Sequence, residues 1–277
     1  MIRTTTMILM LSLGVLAGAE DETAERAPIR HFDLETLGEL GAELFQRDNM
    51  AAAAFDLLLD RHPEAKDQGL GGWLTEFDGD IRRVHIIKRG EEGATQGYVL
   101  TLTLGEKKTL TLEPHLGEAL PERLVTRLAA RDAAVKAMPG FHRGRRYNVE
   151  VLDDPDGEGY LVYVLAAHMK AGEVVVGGHT RITVAADGTT VEQVDALSKS
   201  LLIIPPQKTP EGSRPVAIHA THLVSGTPIE IHAFLSCMHK RPIMVQTPDG
   251  KLWKVDGKSI EEVGSVEEAL APSEQGP

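Results

Sequence analysis

Residues 121–140, PERLVTRLAARDAAVKAMPG, decide the fold class of this chain. Their apolar residues recur at helical spacing and Pro139-Gly140 ends the pattern, so the stretch predicts a helix over 121–138. Turns at 153–158 and 187–188, each containing Asp-Gly, then separate predicted antiparallel strands. These strands are Arg146–Leu152, Gly159–His168, Val174–Ala185 and Thr190–Leu197. A helix followed by such a meander is typical of an α+β unit.

The same order of elements precedes this unit. Asp33 can cap a first helix, and Met50–Leu59 forms a second helical segment that ends before His62-Pro63, so a helical hairpin is predicted. Four short strand-like runs follow: Trp73–Phe77, Ile81–Arg89, Tyr98–Leu104 and Thr109–Leu112. The sequence therefore predicts two helix-then-meander units, at 20–117 and 118–204.

A stretch that contains several prolines separates the central unit from the rest of the chain. Residues 205–215 predict a linker, and the strand-like runs in 216–263, Ile229–Met238 among them, predict a C-terminal β-meander. The acidic residues 264–277 contain no aromatic side chain and predict a disordered tail. Helices are too few to connect parallel strands, so we expect antiparallel sheets throughout and no parallel βαβ unit.

Three stretches of the central unit carry a resemblance. Ala129–Ala134 on the helix, Tyr147–Val151 on the first strand and Thr183–Thr189 at the last turn are similar to the helix-plus-meander plan of PepSY and cystatin-like modules. This resemblance covers less than a third of the chain and implies a module with a single short sheet. The whole chain also resembles exported bacterial proteins that have no assigned role, which implies a location rather than a chemistry.

The first nineteen residues indicate that location. Arg3 precedes the apolar run Met7–Leu16, and Ala17-Gly18-Ala19 places small residues where a signal peptidase cuts. The run is shorter than the roughly 20 residues that span a bilayer. The sequence therefore predicts a signal peptide over 1–19 and an exported protein, periplasmic or extracellular, with no membrane insertion after cleavage.

Composition narrows the class of partner. The net charge of −12 disfavours nucleic acid. Cys237 is the only cysteine, so no internal disulfide forms, and its apolar neighbours predict a buried, unreactive thiol. Aromatic residues make up only 4% of the chain, which argues against a surface that stacks sugars or bases.

Candidate site residues are scattered. His168, His179 and Asp195 are the weak candidates for a non-local hydrolase site, since the two histidines flank one predicted hairpin. For a metal the weak candidates are His219, His222 and His232, although odd spacing sends the first two to opposite faces of a strand. Residues 153–158 lack the spacing of a calcium loop, and Cys237 with His239 is a remote nucleophile pair. No cofactor motif occurs in the sequence.

Three function classes follow from these observations. The leading interpretation is an exported, soluble, non-catalytic binding or inhibitory module, with a peptide or protein bound at an edge or concave surface of a sheet. The alternatives are a hydrolase with a non-local site, or a structural subunit of a cell-envelope complex. Whether the chain is an enzyme stays open at this point, with the lack of a catalytic motif favouring a binding module.

Overall fold

The computed structural model describes residues 28–140, 144–206 and 217–267. The predicted signal peptide lies outside these residues, as do most of the predicted linker and most of the predicted tail. The helices are α1 (Leu34–Arg61), α2 (Glu122–Ala137) and α3 (Glu230–His239). The strands are β1 (Leu70–Asp78), β2 (Ile81–Gly90), β3 (Gly93–Thr103), β4 (Thr109–Pro114), β5 (Tyr147–Asp153), β6 (Tyr160–Ala166), β7 (Val174–Val175), β8 (Thr180–Val184), β9 (Val191–Ala196), β10 (Ile203–Ile204), β11 (Ile218–Thr221), β12 (Ile243–Gln246), β13 (Lys251–Asp256) and β14 (Ser259–Ser265).

Three four-stranded sheets organise the chain. The first sheet is the meander β1-β2-β3-β4, the central sheet is β5-β6-β8-β9, and the C-terminal sheet is β11-β12-β13-β14. Tight turns set the registers: Gly188 has a φ of +70° between β8 and β9, beside Asp187, whose carboxylate accepts from the amides of Thr189 and Thr190. The predicted α+β class with antiparallel meanders is confirmed, and no helix among the described residues is long and apolar enough to cross a membrane.

Helix α2 covers one face of the central sheet. Leu124, Leu128, Ala130 and Ala134 are buried at helical spacing and pack against Val149, Val151, Val162, Val164 and Ile182. The predicted central unit therefore has the expected order of one helix and four paired strands, except that β7 leaves this sheet and pairs with β10.

The predicted helical hairpin is wrong, because its two segments form the single helix α1. It is one continuous helix of 28 residues, capped by Asp33, whose carboxylate accepts from the Thr36 amide at 2.8 Å. The polar stretch near its middle is satisfied by the sheets below it: Arg47 Nη1 donates to Thr75 Oγ1 at 2.9 Å, and Asn148 donates to Asp48 at 2.6 Å. Because these groups have partners, no break in the helix is needed.

The prediction of a purely antiparallel C-terminal β-meander is also wrong. Residues Glu230–His239 form α3 rather than a strand, and β11 pairs with β12 in parallel, with Ile218 opposite Ile243. The chain therefore contains a β11-α3-β12 crossover and the unit is not a pure meander. Every residue from Glu230 to Ser236 is buried, so this helix lacks the polar face that marks a helix in a sequence.

Helices α1 and α3 cross at very close range. A Cβ built on Gly41 of α1 would lie 2.5 Å from the Cβ of Ala233 on α3, so only glycine permits this approach. Gly38, one turn earlier, lies against the backbone of Lys258 in the turn between β13 and β14. The N-terminal half of α1 thus belongs to the same core as α3 and the C-terminal sheet.

Candidate functional site

A small cleft lies among β6, the loop after it, α1 and α3. Its volume is about 20 Å³, which holds little more than one water molecule. Its polar lining comprises Asp48, Asn148, His168, Glu173, His179 and His239. The structure therefore brings His168 and His179, two of the three predicted hydrolase residues, to one cleft. His168 lies exposed at its rim, whereas His179 is buried.

His179 is held by the backbone on both sides of its ring. Nδ1 accepts from the Ala166 amide at 3.1 Å, and Nε2 donates to the Val175 carbonyl at 2.9 Å. Burial lowers the pKa of His179 to about 4, so the ring is neutral at pH 7. These two bonds join β6, β7 and the start of β8, which is a structural role.

The third hydrolase candidate, Asp195, belongs to a different network. Its Oδ2 accepts from Arg181 Nη2 at 2.7 Å, and Arg181 Nη1 donates to Glu230 at 2.8 Å. Arg181 and Glu230 are fully buried. Burial by itself lowers the pKa of Arg181. The carboxylates of Glu230 and Asp195 raise this pKa by more than burial lowers it, so the guanidinium stays charged. Asp195 is thus the partner of an arginine and not of the cleft histidines.

The N-terminal strap, defined here as residues 28–32, lies against this network without joining a sheet. Asp195 Oδ2 accepts from the Arg30 amide at 3.3 Å, and Arg181 donates to the Arg30 carbonyl. The Arg30 guanidinium binds both oxygens of Asp154, at 2.5 and 2.8 Å, and Asp156 at 3.0 Å. The turn at 153–158 is therefore a hairpin turn whose carboxylates hold an arginine.

The three metal candidates are only partly brought together. His219 is exposed on β11, while His222 and His232 are buried with ring centroids 4.9 Å apart. Burial lowers the pKa of His222 to about 4 and that of His232 well below its usual range. Within the described part of the chain, no group of three His, Cys, Asp or Glu side chains is placed to hold a metal.

His222 also contacts a serine that sequence reasoning missed. The distance from His222 Nε2 to Ser225 Oγ is 2.6 Å, and Ser225 Oγ donates to the Thr227 carbonyl at 2.7 Å. Since the hydroxyl proton points to the carbonyl, His222 is the donor in this pair. That direction is opposite to the one that activates a serine nucleophile.

Cys237 lies on α3 rather than on the predicted strand, and it is half-buried rather than buried. Burial raises the pKa of its thiol and lowers that of His239. Residues two apart on a helix point to different sides, so the helix separates this suggested nucleophile pair.

One open strand edge completes the candidate surfaces. Strand β4 is hydrogen-bonded to β3, and no second strand among the described residues pairs with it. Thr109, Leu110 and Thr111 are exposed, Leu110 by 51%. The sequence predicted a strand over Thr109–Leu112, but it did not predict that this strand lies at an edge.

Comparisons with known proteins add little to this geometry. No family model matches the sequence, and no curated protein matches it. Among solved structures, the C-terminal domain of Bacillus megaterium YpeB is similar at 12% identity, over 62% of this chain and 68% of that chain. Its TM-score of 0.17 is too low to carry an argument about fold or function.

Proposed function

We propose that the protein is an exported, non-catalytic binding module that takes up an extended segment of a partner peptide or protein beside β4. The observation that carries the proposal is the unprotected edge of this strand. Thr109–Leu112 contains no charged residue, and Leu110 exposes half of its surface. An added segment would pair with the free N–H and C=O groups of β4 as a fifth strand.

Two other edges in the described structure, those of β14 and β9, carry protection along their length. Charged side chains, prolines and covering segments are the usual devices that keep a sheet edge from pairing. Strand β14 carries Glu261 and Glu262, and β9 is flanked by the N-terminal strap. On β4 such devices are confined to its end, at Glu113-Pro114.

The residues of the hydrolase alternative are engaged elsewhere. His179 uses both ring nitrogens for backbone groups, and Asp195 is paired with Arg181. A water-sized cleft gives little room for an organic substrate among the described residues. These contacts favour a binding module over a hydrolase.

A displayed library of random twelve-residue peptides, selected on the mature protein, tests this proposal. Selected peptides should lose binding by at least about ten-fold on a Leu110→Lys/Thr111→Lys variant, because inserted lysines block strand addition. Val263→Lys, an exposed position on β14, is the matched control and should bind them normally. Selected peptides that bind all three proteins equally, or a selection that yields no binder, would contradict the proposal.

A further inference from the structure

The N-terminal strap is held in the way that proteins hold a bound peptide. Side chains of other elements form hydrogen bonds with its main chain. Asp195 accepts from the Arg30 amide, Arg181 donates to the Arg30 carbonyl, and Gln193 donates to the Pro28 carbonyl at 3.4 Å. None of these bonds is a rung of a sheet ladder. The strap can therefore leave its groove without breaking any strand pairing.

The groove also distinguishes side chains of the strap. Ile29 is only 6% exposed and belongs to the main apolar core. Arg30 makes the two-pronged contact with Asp154, a geometry that selects arginine over lysine. The ring of Phe32 lies 4.7 Å from the Arg30 guanidinium and 4.9 Å from that of Arg181. The groove thus contacts an apolar residue, an arginine and an aromatic residue at the first, second and fourth positions of the segment that starts at Ile29.

The charges of the groove complement such a segment. Without the strap, Asp195 and Glu230 still pair with the guanidinium of Arg181, whereas the carboxylates of Asp154 and Asp156 lose the Arg30 guanidinium that binds them. Arg30 supplies the missing positive charge. A groove left with this excess of carboxylates attracts a cationic segment.

We propose that this groove is a binding site for an extended segment of another protein that presents residues like Ile29, Arg30 and Phe32 in the same spacing. The strap occupies the site as an intramolecular competitor. This site is separate from the edge of β4 and does not depend on it. A tethered segment competes at an effective concentration of about millimolar, so a partner binds well only when the strap is weakened or displaced.

The test uses the full mature chain and a fluorescein-labelled peptide with the sequence of residues 26–33, RAPIRHFD. Fluorescence anisotropy should show at least about ten-fold tighter binding to an Arg30→Ala/Phe32→Ala variant than to the wild type, because the competitor is weakened. Arg146→Ala, at an exposed arginine away from the groove, should behave as the wild type. Adding Asp154→Asn to the double variant should remove the binding, as should alanine at the arginine of the peptide.

Three outcomes would overturn the proposal. Equal binding by the wild type and all variants would place the peptide outside the groove. No binding by a folded double variant would make the strap a structural element only. Dimers of the wild type that the peptide dissociates, seen by light scattering, would assign the groove to a second copy. If the double variant loses its native circular dichroism, Arg30→Ala alone carries the same test, since Ile29 keeps its core contacts and Phe32 keeps its contact with Arg181.

Discussion

Trp73 and Glu150 join the first sheet to the central sheet through a hydrogen bond of 2.7 Å from the indole Nε1 to the carboxylate. Thr75 Oγ1 donates to the other oxygen of Glu150 at 3.0 Å. The carboxylate is almost fully buried where β1 passes β5. Burial outweighs these two donors and raises the pKa of Glu150 to about 7.

The substitution Glu150→Gln should therefore change how stability depends on pH. A carboxyl whose folded pKa exceeds its unfolded value stabilises the protein fully below pH 4.5, and this contribution is lost as pH rises to about 7. The loss is on the order of 3 kcal/mol. Unfolding temperatures from pH 4 to 8 should show the variant gaining on the wild type as pH rises. A constant difference between the two proteins would contradict the raised pKa.

His222 should act in the opposite direction. Its folded pKa of about 4 lies below its unfolded value of 6.5, so its contribution to stability is present above pH 6.5 and is lost as pH falls towards 4. His222→Asn should lower the midpoint of acid unfolding by about half a pH unit or more. His219→Gln, at the exposed histidine of the same segment, is the control and should leave the midpoint unchanged when followed by circular dichroism.

Arg181 should be among the most sensitive positions of the chain. Arg181→Met leaves Asp195 and Glu230 buried without a cation, which costs about 3–5 kcal/mol. The double variant Arg181→Met/Glu230→Leu removes one of the stranded charges and should recover part of this loss. Urea unfolding measures both variants. A single variant within about 0.5 kcal/mol of the wild type would mean that water reaches the cluster.

Cys237 should react with a thiol reagent in the native state, but several-fold more slowly than in the unfolded state. Its side chain is half-buried, and burial raises the pKa of the thiol, so less thiolate is present at neutral pH. Spectrophotometric labelling with and without urea gives both rates from this single cysteine. Native labelling as fast as in urea would show an activated or fully exposed thiol.

Comparison of the predicted and observed elements shows which parts of the fold are determined by residues close together in the sequence. Helix α2 lies within a residue of its predicted span, because an apolar stripe and Pro139-Gly140 define it without outside help. Helix α3 was predicted as a strand because its residues from Glu230 to Ser236 are buried on all sides, and periodicity cannot identify such a helix. Helix α1 was predicted as two segments, the second starting at Met50, and the partners of the intervening Arg47 and Asp48 on β1 and β5 cannot be read from the sequence.

The candidate site was less predictable than the fold for the same reason. His168 and His179 line one cleft, and their position on one predicted hairpin is a local relationship that the sequence shows. Asp195 was assigned to them, whereas its partner Arg181 could be named only from the structure. The strap and Glu230 lie far from that arginine in sequence, so no spacing rule identifies the groove.

The close crossing of α1 and α3 at Gly41 has a consequence for folding order. Helix α1, the first helix of the described residues, lies at Gly41 and Gly38 against Ala233 and Lys258, near the other end of the described chain. Such contacts of high sequence separation form late, after the loops that they close have been ordered. Until then the apolar face of α1 is exposed, which makes the newly made chain prone to aggregation and a substrate for chaperones.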